Sequence, residues 1–296
     1  MNVKVGWVGN FYRESKRFDI ALKVAEELKT TMKIAGPPNS LYYIEHSKMP
    51  DFYRSLDCLL VTSEAEAHPL VVYEALACGV PVVMPEGIGD CSTKHAGIIF
   101  YRPNSHPKLI GYIIKALIDY KKDFAEEAVN KILKHWQWKY LIPDYFNMFK
   151  TITNKDDGLK IAIIIDSPGW AWDFMAHEMQ TEFMKTGKCT LVDIVYANQT
   201  KPKDINFESY DAVLNHCWWN YNSLMEPTVR SDRNIVCCNG PAYKEPEARR
   251  ILNILVKRGT PLTSVSFPIV KDLRSVYPKS LVFHCSRGVD IEKFHP

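Results

Sequence analysis

The sequence predicts an α/β protein made of two doubly wound domains with parallel sheets. Short apolar, β-branched runs alternate with longer segments of helical periodicity, which is the pattern of parallel βαβ units. The length of 296 residues suits two domains of about 150 residues better than one compact core. A polar stretch, TNKDDG at 153–158, interrupts the pattern before it restarts. We therefore predict domains at 1–152 and 158–296 that face a cleft, where the carboxyl ends of the strands hold a ligand.

The first half contains five strand-like runs, with helical segments between and after them. In its first helix apolar residues recur at helical spacing, so one face should pack on the sheet. These residues are Ala21, Leu22, Ala25 and Leu28. The strands are predicted at 3–9, 31–36, 58–63, 81–85 and 97–101. The helices are predicted at 19–29, 49–56, about 70–78 and over most of the segment that ends near 153.

The second half repeats this alternation. Its strands are predicted at 160–166, 189–197, 210–215, 234–239 and 280–285, and a helix is predicted at 174–185. A basic helix, EARRILNILVKRG at 247–259, alternates apolar and cationic positions. This helix either presents a solvated face or contacts an anionic membrane surface.

Composition narrows the class of protein. The chain is 46% hydrophobic and 24% charged, and no apolar run reaches the length of about 18 residues that a membrane span needs. The N-terminal residues MNVKVGWVGN lack the features of a signal peptide. We expect a cytoplasmic protein, with peripheral contact to the inner membrane face as an option. A net charge of +3 is too small to indicate nucleic-acid binding by itself.

Eight cysteines raise the question of disulfides or metal. No CxxC occurs, and four of the cysteines lie in strand-like apolar runs. The adjacent pair Cys237 and Cys238 would point to opposite faces of a strand. We therefore predict buried, reduced thiols rather than disulfide or metal chemistry.

The most informative segment is EAEAHPLVVYEALACGVPVV at 64–83. A strand ends at Ser63, Pro69 suits the first position of a helix, and Gly79 suits its C-terminal end. Glu66 then lies in the loop, and Glu74 lies about one turn inside the helix. The first-turn N–H groups predict an anion site of the kind that binds phosphate. These N–H groups lie near residues 69–72, and the candidate binding residues are His68, Pro69, Leu70 and Val71.

Two carboxylates beside such a site would repel a phosphate, so each should face hydroxyl groups instead. A nucleotide sugar meets both demands, because it has a diphosphate in the middle and a polyol at each end. Glu74 would then accept hydrogen bonds from the ribose and Glu66 from the sugar. The alternative is an acidic N-terminal turn that the helix dipole favours without any ligand.

The stretch SEAEAHPLVVYEALACGVPVV resembles the signature of retaining GT-B glycosyltransferases of glycosyltransferase family four. VGWVGNFYRESKRFDIAL resembles that family's first strand and phosphate-contacting loop, and IAGPP and MPDFYRSLDCLLVTS resemble the elements that follow. HWQWKYLIPDYFNMF resembles the aromatic helix that crosses back to the other domain. The resemblance implies that Lys16 binds the diphosphate, with Arg13 and Arg17 as further candidates, although a loop KR is usually solvated surface.

The second half resembles the family's acceptor domain. GLKIAIIIDSPGWAWDFMAHEMQ is similar to its start, and SVSFPIVKDLRSVYPKSLVFHCSRGVDIEKFHP is similar to its end. In the family the G-V-D…F-x-P element leads into the nucleotide-binding domain, but here that domain comes first. The sequence is thus interpreted as a circular permutant. A fragment of two adjacent transferases and an engineered order are the alternatives.

Two residues of the second half are site candidates. His216 ends a predicted strand and precedes Trp218 and Trp219, and the resemblance implies that a histidine here contacts the donor sugar. Its alternative role is to cap the strand. Gly169, in SPGWAW at 167–172, would approach the phosphates, while Trp170 and Trp172 stack on a sugar or cover the core.

The resulting prediction is a GT-B enzyme that transfers a sugar with retention from a nucleoside-diphosphate donor to a glycan, glycolipid or other hydroxyl compound. No D-x-D occurs, and the resemblance implies metal independence, so neither a metal nor a separate cofactor is expected. Glu66 and His216 are the candidate catalytic residues. The alternatives are a nucleotide-sugar epimerase or hydrolase, and a non-catalytic binding module or two-domain fragment. DNA remains open as an acceptor, and the base, the sugar and the oligomeric state are undetermined by sequence.

Overall fold

The computed structural model describes residues 3–38, 40–89, 97–119, 126, 129–130, 132, 134–169, 171–200, 204–217 and 232–296. The chain forms two compact units. Unit 1 comprises Met1–Gln137 and Gly288–Pro296, and unit 2 comprises Trp138–Arg287. The predicted α/β class with two parallel sheets is confirmed.

Unit 1 is built on five parallel strands in the order β2-β1-β3-β4-β5. The strands are β1 Val5–Val8, β2 Lys33–Ala35, β3 Cys58–Leu60, β4 Val82–Pro85 and β5 Ile98–Tyr101. The described helices are α1 Phe18–Leu28, α2 Met49–Arg54, α3 Leu70–Ala77 and α4 Pro107–Asp119. The chain order reverses between β1 and β3, so the carboxyl ends of these two strands border the crevice in which such sheets bind ligands.

Two helices of unit 1 show how its core is built. In α1 the buried residues are Ala21, Val24 and Ala25, while Leu22 is exposed. The prediction of Leu22 on the inner face was therefore wrong, because positions 21, 24 and 25 share one helical face and position 22 lies about 100° away from it. Helix α3 is buried along most of its length, and the positive φ of Gly79 follows its end.

Within the described residues, the sheet of unit 2 has six parallel strands in the order β11-β10-β9-β8-β6-β7. The strands are β6 Leu159–Ile165, β7 Cys189–Tyr196, β8 Ala212–Asn215, β9 Asn234–Cys237, β10 Leu262–Ser264 and β11 Val282–His284. The described helices are α5 Trp138–Thr153, α6 Ala171–Lys185, α7 Pro246–Lys257 and α8 Phe267–Val276. Here the chain order reverses between β6 and β8. Strand β10 and helix α8 were not predicted.

The unit boundaries differ from the predicted 1–152 and 158–296. Helix α5 packs within unit 2, as the resemblance to a crossing helix implies, and Phe149 on it is fully buried. Residues 288–296 belong to unit 1, where Val289 and Phe294 join the core. In the polar stretch at 153–158, Thr153 ends α5, and the residues 154–158 that follow it are exposed. The polarity of this stretch therefore marks an exposed segment rather than the change from one unit to the other.

The predicted buried thiols are confirmed for the described cysteines. All seven are free and buried, and Cys91 lies outside the described residues. Burial raises the pKa of Cys217 to about 12, so this thiol stays protonated at neutral pH. Among the described residues, no helix has both the length and the apolar character needed to cross a membrane.

The basic helix α7 directs its apolar positions into the protein. Ile251, Leu252 and Leu255 are buried in the core of unit 2, and Arg250 pairs with Glu247 at 2.7 Å on the outside. The apolar residues of this helix therefore pack in the core of unit 2, so they do not form an apolar surface for a membrane.

Candidate functional site

The loop after β1 is fastened to the end of β3. The hydroxyl of Thr62 donates to the carbonyl oxygen of Lys16 at 2.7 Å and accepts from the indole N–H of Trp7 at 3.0 Å. The peptide N–H of Glu64 donates to the carbonyl oxygen of Ser15 at 2.8 Å. These hydrogen bonds bring the basic loop against the acidic segment at the point where the strand order reverses.

Lys16 and Glu66 are in direct contact there. The ammonium group of Lys16 pairs with a carboxylate oxygen of Glu66, and the two side chains are 24% and 17% exposed. The structure thus brings together two residues that the sequence assigned to separate parts of a nucleotide sugar. Both side chains therefore keep a part of their surface accessible to solvent.

The other two basic candidates of this loop differ from Lys16. Arg13 is exposed, and it has no ion pair with any residue that the structure describes. Arg17 adopts a positive φ and pairs with Asp19 at 3.0 Å and with Glu64 at 2.6 Å. The hydrogen bonds that the Arg17 guanidinium donates to these two carboxylates raise its pKa above the usual range. Arg17 is therefore engaged by its own loop.

Helix α3 begins within the predicted range of about 70–78, although Pro69 is not its first helical residue. Pro69 is the N-cap with extended backbone angles, and Leu70 is the first helical residue. The N–H of Val72 donates to the carbonyl oxygen of Pro69 at 3.0 Å. In the described part of the chain, the N–H groups of Leu70 and Val71 have no hydrogen-bond partner. They are the two donors that the turn offers to an anion.

His68 has a packing role in this turn. Its ring is buried, stacks on Tyr73 with centroids 4.4 Å apart, and lies 5.2 Å from the ring of Trp136. The aromatic contacts fix the position of the residue that precedes the Pro69 cap. The predicted contact of His68 with the nucleotide sugar stays a prediction.

Glu74 is held by groups that the sequence did not indicate. The hydroxyl of Tyr53 donates to one carboxylate oxygen of Glu74 at 2.7 Å, and Nε2 of His46 lies 3.6 Å from the other. The Lys293 ammonium donates to Nδ1 of His46 at 2.6 Å. Burial, with the charge of Glu74, raises the pKa of Tyr53 well above its usual range, so Tyr53 is a neutral donor. The carboxylate therefore has a fixed position.

A glycine after β4 completes the surroundings of the acidic loop. Gly89 has a φ of +65°, and a Cβ atom there would lie 3.0 Å from Cδ of Pro69 and 3.4 Å from the carbonyl oxygen of Glu66. A side chain at this position would meet backbone as well as the Pro69 ring. The GIG sequence at 87–89, one residue after the strand, was the signal available for this loop.

In unit 2, Gly169 does not have a free N–H. Its N–H donates to Oδ2 of Asp173 at 2.8 Å, and Tyr196 donates to Oδ1 of the same carboxylate at 2.7 Å. Its φ is +80°, and a Cβ atom would meet nothing within 4 Å. The glycine is needed for the turn, and its predicted approach to phosphate stays a prediction. Trp170, Trp218 and Trp219 lie outside the described residues.

His216 lies at the carboxyl end of β8 with its ring buried. Nδ1 is 3.0 Å from the side-chain nitrogen of Asn239, and the ring lies 4.8 Å from the ring of Trp172. The guanidinium of Arg287 lies 3.6 Å from the centre of the same Trp172 ring. Burial, with the charge of Arg287, lowers the pKa of His216 to about 3. The imidazole is therefore neutral at physiological pH.

Comparison with known proteins gives a family match that lies within unit 1. The family model of glycosyl transferases group 1 matches residues 22–135. D-inositol 3-phosphate glycosyltransferase 1 of Catenulispora acidiphila is 37% identical over 75 residues, which are 25% of this chain. The lipopolysaccharide core biosynthesis mannosyltransferase LpsB of Rhizobium meliloti is 38% identical over 63 residues, which are 21% of this chain. The chain covers 18% of the length of each relative.

The similar solved structures are more distant. A carbohydrate transporter from Acidothermus cellulolyticus in complex with myo-inositol is 12% identical with a TM-score of 0.32. The match covers 94% of this chain and 79% of that one. So low a TM-score carries no argument about fold or function. The family match includes Glu66, Glu74 and the start of α3, and it leaves Lys16 and unit 2 outside.

Proposed function

We propose that this protein transfers a sugar from a nucleoside-diphosphate donor to a hydroxyl acceptor with retention of configuration. One arrangement carries the proposal. Glu66 and Glu74 flank the first turn of α3, and Lys16 contacts Glu66. The loop of Lys16 follows β1, and the loop of Glu66 follows β3, and the strand order of unit 1 reverses between these two strands. The two glutamates and the helix turn fall inside the segment that matches glycosyl transferases group 1.

The donor is proposed to bind unit 1 through its diphosphate. The N–H groups of Leu70 and Val71 would donate to phosphate oxygens, and the ammonium of Lys16 would supply positive charge as the diphosphate leaves. Glu74, fixed by Tyr53, would accept hydrogen bonds from the ribose hydroxyls. Glu66 would accept hydrogen bonds from the transferred sugar. Diphosphate and Glu66 then compete for the same ammonium group, so donor binding releases the Glu66 carboxylate toward the sugar.

Unit 2 is proposed to bind the acceptor, with His216 near the reacting sugar. The order of units would then be the reverse of that in glycosyltransferase family four. Residues 288–296 support this interpretation, because Val289, Ile291 and Phe294 pack with the core of unit 1. The segment that leads into the nucleotide-binding domain in that family is thus part of the unit it would lead into. No metal ion or further cofactor takes part in the proposed reaction.

A ligand panel tests the donor site. UDP, GDP, ADP and their sugars should include one nucleotide family that raises the melting temperature, because only the folded state binds it. Lys16→Ala should lose most of this shift, while Lys23→Ala, an exposed change of equal charge in the same unit, should keep it. Chelator should not change the result. If no nucleotide produces a shift, or if Lys16→Ala behaves as the unchanged protein does, the donor site proposed here is wrong.

Product analysis separates transfer from the other reactions. Incubation of the stabilising nucleotide sugar with acceptor alcohols should give a glycoside with the anomeric configuration of the donor, as judged by NMR. Free monosaccharide alone would indicate a hydrolase, and a changed nucleotide sugar would indicate an epimerase.

A further inference from the structure

Arg287 carries a buried positive charge. The residue is 7% exposed, and its guanidinium lies over the ring of Trp172 with 3.6 Å between its central carbon and the ring centre. Within the described ranges, no carboxylate pairs with the guanidinium, and its Nε–H is buried without an acceptor. A cation–π contact offsets only part of the cost of removing such a charge from water. Burial lowers the pKa of Arg287 only to about 10, so the group stays charged at neutral pH.

His216 provides a second hydrogen-bond donor, and its ring also lies beside the ring of Trp172. The N–H of Val265 donates to Oδ1 of Asn239 at 3.4 Å, which leaves the Asn239 NH2 group to donate to Nδ1 of His216 at 3.0 Å. The ring proton of the neutral imidazole is therefore on Nε2. This nitrogen is buried, and no hydrogen-bond acceptor for it occurs among the residues that the structure describes. The residue is 5% exposed.

The two donors lie at one edge of unit 2. His216 follows β8, Asn239 follows β9, and Arg287 follows β11, so all three come from carboxyl ends of parallel strands. Trp172 lies in the first turn of α6, the helix that follows β6, and the strand order reverses next to β6. The ring of Trp172 contacts His216 and Arg287. At the end of β6, Oδ1 of Asp166 is buried and also has no partner in the described part of the chain. Among the described residues, this edge thus holds two hydrogen-bond donors without an acceptor, the charged Arg287 and the neutral His216. It also holds one acceptor without a donor, Oδ1 of Asp166.

We infer that Arg287 and His216 bind an anionic group, a phosphate or a carboxylate, on the acceptor molecule. The anion would accept from Nε of Arg287 and Nε2 of His216, and it would supply the counter-charge that the buried guanidinium lacks. Oδ1 of Asp166 would accept a hydrogen bond from a hydroxyl of the same molecule. The inference rests on the proposed function, since it defines the chemical class of that acceptor as a hydroxyl compound with a negative charge.

Three small alcohols of matched size test the site in the full chain. Glycerol 3-phosphate carries a phosphate, glycerate carries a carboxylate, and glycerol carries neither. At a concentration about ten times the dissociation constant, one of the two anions should raise the melting temperature by about 3 °C more than glycerol does. The anion that gives the larger shift identifies the group. If neither anion raises the melting temperature more than glycerol does, the inference is wrong.

Substitutions assign the shift to these residues. Arg287→Gln should abolish the anion-dependent shift, while Arg250→Gln should retain it, since Arg250 is an exposed cation of the same unit. Arg287→Gln should also melt at a higher temperature without ligand, because it removes an uncompensated buried charge. If Arg287→Gln does not fold, Arg287→Lys and His216→Gln each replace it in this test. Each of them should bind the anion at least tenfold more weakly than the unchanged protein does. A shift that persists in all these variants would refute the site.

The nucleotide panel keeps the two proposals separate. A shift by a nucleoside diphosphate that Lys16→Ala removes and Arg287→Gln keeps reports on the donor site alone. If that shift fails while the glycerol 3-phosphate or glycerate shift stands, the proposed donor function is wrong and the anion site remains. If the reverse occurs, the anion site is wrong and the donor function remains.

Discussion

Lys16 and Glu66 form an ion pair across 50 positions of sequence, and each is the other's charged partner at the carboxyl edge of the first sheet. The pair joins a loop that follows β1 to a loop that follows β3. Its two members are proposed to serve the diphosphate and the sugar of one donor. A change at either residue should therefore alter how the other meets the ligand.

Glu66→Gln should separate binding from turnover. The amide removes the negative charge that holds Lys16, so affinity for a nucleoside diphosphate should rise by about threefold. Turnover should fall by about a hundredfold or more, since the carboxylate is proposed to act on the reacting sugar. Calorimetric titration and steady-state kinetics measure the two effects. Glu64→Gln in the same loop is the control, with little loss of turnover expected.

Tyr53→Phe should loosen Glu74 without removing it. The phenol donates to the carboxylate at 2.7 Å from a buried position, so its loss should lower the free energy of unfolding by about 1.5–3 kcal/mol. Nucleotide affinity should drop several-fold, because the carboxylate that is proposed to bind the ribose is no longer fixed. Tyr112→Phe on α4, an exposed site of the same unit, should change neither quantity. Unchanged affinity in Tyr53→Phe would argue that Glu74 does not contact the nucleotide.

His216 should make the folded protein sensitive to acid. Burial, with the charge of Arg287, lowers its pKa from the ordinary 6.5 to about 3 in the folded state. The unfolded chain then binds the proton first, so the stability present above pH 6.5 is lost as pH falls toward 3. The slope is at most about 1.4 kcal/mol per pH unit.

Urea unfolding of His216→Gln and the unchanged protein at pH 7, 6 and 5 measures this slope. The variant should lose less stability over that range. His135→Gln, at an exposed position of unit 1, should follow the unchanged protein. If the free energy of unfolding depends on pH in the same way for all three proteins, the pKa of His216 is not lowered in the folded state.

Gly89→Ala should disturb the acidic loop more than Gly87→Ala does. Both glycines have positive φ, so both variants carry backbone strain of about 1 kcal/mol or more. Only at Gly89 would the new Cβ also lie 3.0 Å from Pro69, whereas at Gly87 it would meet nothing within 4 Å. The difference in unfolding free energy and in nucleotide affinity between the two variants isolates the close approach. Equal effects would assign no role to the contact with Pro69.

The sequence predicted the local parts of this site well and the long-range parts poorly. Strand ends, the turn before α3 and the position of Glu74 follow from periodicity and from the chemistry of Pro and Gly, which act over a few residues. The groups around Glu74 do not, because Tyr53 and His46 come from other segments of the chain. Lys293, which donates to His46, lies 247 positions from it. Only the packing of residues 288–296 on unit 1 brings Lys293 to His46.

The unit boundary shows the same limit. The break at 153–158 has the composition of a linker, yet the change from unit 1 to unit 2 occurs before the apolar helix α5. Composition reports exposure to solvent, and a helix is assigned to a unit by the core that its apolar face enters. For α5 that face was visible in the sequence as aromatic residues, but its destination was known only through the resemblance.

One backbone pairing makes unit 2 an insertion with neighbouring ends. Gln137 and Val289 face each other in a parallel bridge, and the N–H of Val289 donates to the carbonyl oxygen of Trp136 at 2.8 Å. The chain therefore leaves unit 1 and returns to it at a single place. In terms of connectivity, unit 2 occupies the position of one long loop between two adjacent residues. Because the two segments run parallel, a tight turn cannot join them, but a different domain or a crossover connection of about a dozen residues can take that position without rerouting the backbone of unit 1.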